Sequence, residues 1–291
     1  MGNTLRQSIA EGRSVWIDGY QYCAALFGTS VPWLDQAAFS AFHSKLQGLL
    51  RSDVVALPVE EVAAALLASE PGLTKDMAAK ARAAYPLRRL LEDERLRAAV
   101  TSLLVVLRAA SASSPLALVI PSPRRWFALA YEAARGEPPS EDIARDIDEI
   151  DGASVYVADF LRVFAESGVD ILLIAETPGE APADLEMLEA YQSVFNAARH
   201  YRWEIGLLDT GATVPPQRGE YLDAVITRAP DGGGMAGGVV DEAFFDGGDV
   251  PAFGTGCFHY VVVPPQTRPE GVLERLSELR ARTGILHREK R

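Results

Sequence analysis

Glu176 has the setting of an acid–base group. It ends the run Val169-Asp170-Ile171-Leu172-Leu173-Ile174-Ala175 and precedes Thr177-Pro178-Gly179. A carboxyl at the end of such a run sits on a rigid element in partly dry surroundings, and burial raises a carboxyl's pKa into a range suited to proton exchange. The competing reading is a carboxylate that braces the following loop. Asp209, before Thr210-Gly211, and Asp18, after Val15-Trp16-Ile17, offer further carboxyls. Two carboxyls in one site can split their pKa values, leaving one as acid and the other as base. Arg124 and Arg125 follow Pro121-Ser122-Pro123, where a helix would begin, and an arginine beside free backbone N–H groups can clamp a carboxylate or phosphate. Adjacent helical side chains point apart, so one of the two serves a site, and Arg124 is the choice. Cys257 and His259 are spaced to share a metal or a thiolate role, but His43, His200 and His287 lie on helical or tail segments and complete no ligand set. Gly232-Gly233-Gly234 lacks the lysine and hydroxyl of a phosphate-binding loop and reads as part of a mobile loop over 232–238.

The elements that must position these residues alternate. Strands are expected at Val15–Asp18, Asp53–Leu57, Leu116–Ile120, Val169–Ala175, Glu204–Leu208, Tyr221–Thr227 and Val239–Phe245, with a last one from Pro251–Gly256 or Tyr260–Val263. Helical stretches cover 35–51, 59–69, 74–84, 90–110, 124–135, 153–167, 184–200 and 269–282. The continuous apolar run before Glu176 is that of a strand buried on both faces. About eight strands alternating with helices predict an α/β fold, a single (β/α)8 TIM-type barrel over residues 1–291. No glycine fingerprint of a dinucleotide fold opens the first strand–helix unit. The stretch 59–110 exceeds one helix and reads as a helical insertion after the second strand. A barrel places its site at the C-terminal strand ends. That face would gather Asp18, Glu60 and Glu61, Ser122 with Arg124, Glu176, Asp209, Thr227 with Arg228, Asp241 with Glu242, and Cys257 with His259.

Composition narrows the partners. The formal net charge of −12, from 40 acidic and 28 basic residues, disfavours nucleic acid and anionic membranes. The two cysteines, Cys23 and Cys257, exclude a disulfide scaffold and fit a reducing compartment. Met1-Gly2-Asn3-Thr4-Leu5-Arg6 carries neither a signal-peptide core nor a myristoylation pattern, and Leu103–Leu107 is too short to span a bilayer. The expectation is a cytoplasmic protein that binds a small anionic organic substrate; a homodimer is compatible with the sequence.

Three segments carry a family resemblance. Ser114–Gly136 holds Pro-Leu-Ala-Leu-Val-Ile-Pro-Ser-Pro and then an aromatic, alanine-rich helix with Tyr131. Residues 156–180 give a helix followed by Ser-Gly-Val-Asp-Ile-Leu-Leu-Ile-Ala-Glu-Thr-Pro, and Phe253–Cys257 is followed by Pro264-Pro265-Gln-Thr-Arg-Pro-Glu-Gly-Val-Leu. In order and spacing, residues 95–282 resemble the uroporphyrinogen decarboxylase and cobalamin-independent methionine synthase superfamily. The resemblance implies a TIM-type barrel with its site in a deep mouth, and matches Tyr131 to an active-site tyrosine. Two features depart from it. The arginine-rich segment that follows the first strand in uroporphyrinogen decarboxylases is replaced by Trp16–Cys23, which holds no arginine. The zinc-binding His-x-Cys of the methyltransferases aligns with Leu208 and Thr210, leaving only Cys257 of that ligand set.

The expectation is therefore a divergent, metal-independent enzyme with lyase or decarboxylase-type acid–base chemistry and no cofactor. Glu176 and Asp209 would exchange protons, Asp18 would hydrogen-bond the substrate, and Arg124 would hold a carboxylate, with Ser122, Tyr131, Arg228 and His259 lining the site. The alternatives are a zinc-dependent methyl or alkyl transferase to a thiol, using Cys257, and a non-catalytic binding barrel.

Overall fold

A computed structural model describes residues 4–211, 220–230, 235–253 and 256–288. Among them are eight strands: β1 (Val15–Asp18), β2 (Val55–Pro58), β3 (Leu116–Pro121), β4 (Ile171–Ala175), β5 (Glu204–Asp209), β6 (Ala224–Thr227), β7 (Met235–Val240) and β8 (Cys257–Val262). They form one all-parallel sheet in the order β1-β8-β7-β6-β5-β4-β3-β2, wrapped by helices as a nearly closed (β/α)8 barrel.

Side-chain alternation divides the buried residues into two layers. Trp16, Ile171, Leu173, Leu208, Ile226, Phe258 and Tyr260 fill the barrel interior. Ile17, Leu172, Ile174, Ile205, Leu207 and Val261 face outward and pack under the helices. This is the period of two that a pleated strand imposes. Leu5, from the helix Leu5–Ala10, joins the inner layer, and its N–H donates to the Glu204 carboxylate at 2.6 Å, at the start of β5.

The seam between β1 and β2 has no strand ladder. One backbone bond, Asp53 N–H to the Val15 carbonyl at 3.0 Å, and two side chains close it: Val15 N–H donates to Asp53 Oδ2 at 2.9 Å and Ile17 N–H to Ser52 Oγ at 2.8 Å. Tyr20 then spans the gap, its hydroxyl donating to the Ala56 carbonyl at 2.9 Å.

Several expectations are corrected here. The span 232–238 is not wholly loop, because β7 begins at Met235; residues 231–234 lie outside those described. Gly237 and Gly238 act as spacers, not breakers. A Cβ at 237 would lie 2.7 Å from the Phe258 ring, and one at 238 would lie 2.2 Å from Phe253. β7 ends at Val240, where Asp241 caps a short helix, Glu242–Phe245, by accepting from Ala243 N–H. The last strand is Cys257–Val262, matching neither expected span; Gly254 and Thr255 lie outside the described residues. The insertion forms four helices, Val59–Ser69, Pro71–Met77, Tyr85–Leu91 and Glu94–Ala110. Pro71 and Pro86 occupy first-turn positions of the middle two, which sets their starts and leaves 78–84 irregular. The helix Gln36–Leu50 follows expectation, with Asp35 capping it by accepting from Ala38 N–H at 3.0 Å.

Candidate functional site

The expected site residues separate according to which face of the sheet they serve. Glu176 follows β4 on the outward side, in step with Leu172 and Ile174. It is 2% exposed, and both carboxylate oxygens are engaged. Oε2 accepts from Ser122 Oγ at 2.7 Å and from Arg124 Nε at 2.8 Å, while Oε1 accepts from the Tyr191 hydroxyl at 3.0 Å. Burial and the adjacent Glu176 both push the Tyr191 phenol up, so it stays a neutral donor. Burial works against the charge of Arg124, but the pull of Glu176 outweighs it and the guanidinium is held firmly protonated. Ser122 caps the helix Pro123–Arg135 by accepting from Arg125 N–H at 3.3 Å. Arg125 binds the Glu176 carbonyl at 3.0 Å and Glu60 at 2.8 Å, and Arg124 also donates to the Ala181 carbonyl at 2.9 Å. Both arginines are thus spent on the protein itself.

Asp18 is placed differently. It ends β1 on the inward side, in step with Trp16. By surface area Asp18 is exposed, its side chain open to solvent at the mouth, while protein packs densely on its other sides. This displaced water raises its carboxyl from 3.8 to about 6, and repulsion from Glu61 adds to the rise, against the Tyr20 N–H bond that lowers it. Its surroundings are Trp16, Tyr20, Ala56, Pro58, Val119 and Tyr260, all on the walls of one cavity. Burial, helped by the Asp18 charge, pushes the Tyr260 phenol up. Of the candidate carboxyls that lie within a strand, Asp18 is the one at an inward position, and it is poised to carry or release a proton near neutrality.

The remaining candidates are scattered. Asp209 ends β5 in step with outward Leu207; it is buried, and Oδ1 accepts from Gly211 N–H at 3.1 Å. Thr227 is buried at the end of β6. Arg228, next along, is half-exposed at the rim, donating to the Thr210 carbonyl at 2.7 Å and pairing with Asp241 at 3.0 Å. Tyr131 lies in the outer helix layer with Phe127 and Arg135 and does not join the strand ends. Cys257 opens β8 and His259 is its third residue, opposite Val15 at the start of β1, so neither stands at the strand's mouth end. His259 turns outward to the Pro251 carbonyl at 3.3 Å and the Phe253 ring, and burial lowers its imidazole.

Cys257, His259 and Glu176 do not fit a shared zinc. The first two lie low on β8, and the Glu176 oxygens are occupied by Ser122, Arg124 and Tyr191. Among the described residues no three His, Cys, Asp or Glu side chains converge as a metal site, and no helix is long and apolar enough to cross a membrane. No family model matches the chain, and no curated protein matches it in sequence.

Proposed function

We propose that the chain is an enzyme that exchanges a proton with a small organic anion at the barrel mouth, by lyase or decarboxylase-type chemistry, with Asp18 as the acid. This is the chemistry of the uroporphyrinogen decarboxylase-like barrels that the sequence resembles. The observation that carries the reading is the Asp18 carboxyl, raised to about 6 at an inward strand end above an aromatic and aliphatic wall.

The wall suits the reaction. When a substrate carboxylate leaves as carbon dioxide, the carbon–carbon bond breaks and the charge spreads into the remaining fragment. Poorly hydrating surroundings of the Trp16 and Tyr260 kind favour that dispersal. The electron pair left on carbon takes the Asp18 proton, and the resulting carboxylate is reprotonated from solvent through the open mouth. At the rim Arg228 is paired with Asp241, and an incoming anion would have to compete with that exposed pair for the guanidinium, against a net charge of −12. Glu176 and Arg124 tie the ends of the neighbouring strands β3 and β4 together and so hold the rim in shape.

The test is release of carbon dioxide from a panel of aryl and 3-oxo carboxylic acids. Asp18→Asn should lower turnover of any accepted acid by about 10²–10⁴-fold, the usual contribution of a positioned acid. Glu176→Gln should lower it only in proportion to folded protein lost. The opposite pattern would return the acid to Glu176.

A further inference from the structure

The β1–β2 seam opens a second feature. Its cavity, about 40 Å³, is lined from inside the barrel by Trp16, Asp18 and Tyr260 and from the helix side by His43, Gln47 and Ser52. It therefore passes through the one place where the sheet lacks a ladder. His43 lies on the helix Gln36–Leu50 and is 2% exposed. Its ring stacks on Phe39 at 6.0 Å and sits 6.5 Å from Tyr20. Neither ring nitrogen has a hydrogen-bond partner among the described residues.

A buried imidazole with both nitrogens unmet is costly, because each has given up its hydrogen bond to water without gaining another. A cavity needs about 10–15 Å³ to hold one water, so this one has room for about three. Its polar margin gives them partners at both ends: the His43 ring on one side and the Asp18 carboxyl on the other.

We propose that water held in the seam joins His43 to Asp18, making His43 a positioning residue for the proton-exchanging carboxyl. The role needs a neutral ring, which offers one donor and one acceptor. Burial lowers His43 to about 4 and keeps it neutral while Asp18 titrates. No proton has to pass through the ring; it fixes the water that fixes the carboxyl. The titratable groups that face this pair are Glu61 on the Asp18 side, Tyr260 from β8, and Tyr20 between the two. Both phenols are pushed up by burial and remain neutral, which leaves Glu61 as the other group able to change charge.

The inference rests on the reading of Asp18 as the acid, but its test needs no substrate, so the two can fail separately. The ring nitrogens of His43 are followed by nitrogen-15 NMR, with His43→Phe identifying their signals. In the wild type they should report a single tautomer and move as pH passes the Asp18 midpoint near 6. The movement should vanish in Asp18→Asn and persist in Glu61→Gln and Glu176→Gln. A His43 ring indifferent to Asp18, or averaging between tautomers, would overturn the proposal. If His43→Phe does not fold, the wild type still decides: cross-relaxation from solvent water to a ring proton of the histidine that follows Asp18 is expected. Its absence counts against the bridge.

Discussion

Glu176 and Asp18 close two parallel strands at the same end of one barrel, yet their surroundings are opposite. Glu176 turns out of the barrel into a layer that answers it with a hydroxyl, a guanidinium and a phenol. Asp18 turns in, onto aromatic rings, with a second carboxyl nearby and a single backbone N–H in its favour. The first carboxyl is saturated with donors. The second is held close to its protonation midpoint and is open to the mouth. One residue's difference in parity along a pleated strand separates a brace from a reactive group.

The brace should give the largest effect. Glu176→Ala leaves Arg124 buried without its counter-charge and should destabilise the fold by about 3–5 kcal/mol in urea or thermal unfolding. A loss below about 1 kcal/mol would mean that the cluster is not the anchor described. The wall on which Asp18 depends should come next. Gly237→Val puts a side chain where a Cβ already lies 2.7 Å from Phe258, and overpacking of this kind costs about 1–3 kcal/mol.

Asp18 should behave in the opposite sense to Glu176. Its folded-state midpoint, about 6, lies above the ordinary 3.8, so folding favours the protonated form. Its contribution is then fully present below about pH 4 and is lost as pH rises through 6. Asp18→Asn removes that loss and should stabilise the protein above pH 6, with the gain fading toward pH 4. Water at the mouth screens the site, so the gain should be on the order of 1 kcal/mol. Destabilisation by Asp18→Asn at pH 7 would erase the contrast. The smallest effect belongs to the rim: Arg228→Ala breaks a solvent-exposed pair and should change stability by under about 0.5 kcal/mol, while weakening inhibition by small carboxylates.

The strand-and-helix alternation was legible from the apolar runs, and with it the barrel. The residues around Glu176 were legible as a group as well: Ser122, Arg124 and Glu176 all stand at strand ends. Their pairing was not, because β3 and β4 become neighbours only once the sheet is assembled. Tyr191, in a helical stretch with no motif, carried no signal. Asp18 was marked as a strand end, but nothing local shows that Trp16 points inward, since Val15, Trp16 and Ile17 are all apolar and hide the alternation. β7 was only partly legible, because glycine normally interrupts strands, whereas Gly237 and Gly238 make room for Phe258 and Phe253. Cys257 and His259 looked like mouth residues because the last strand was expected to lie either before or after them, not to include them.

The central claim is that Asp18 is an inward carboxyl tuned by its walls. It is tested most directly by titrating the side-chain carboxyl carbons of aspartate by NMR, with Asp18→Asn identifying the signal. A midpoint near 6 is predicted, moving down toward the ordinary value when Glu61→Gln removes the neighbouring charge. A midpoint at or below 3.8 in the folded protein would contradict it, and would place Asp18 among the solvated surface carboxylates.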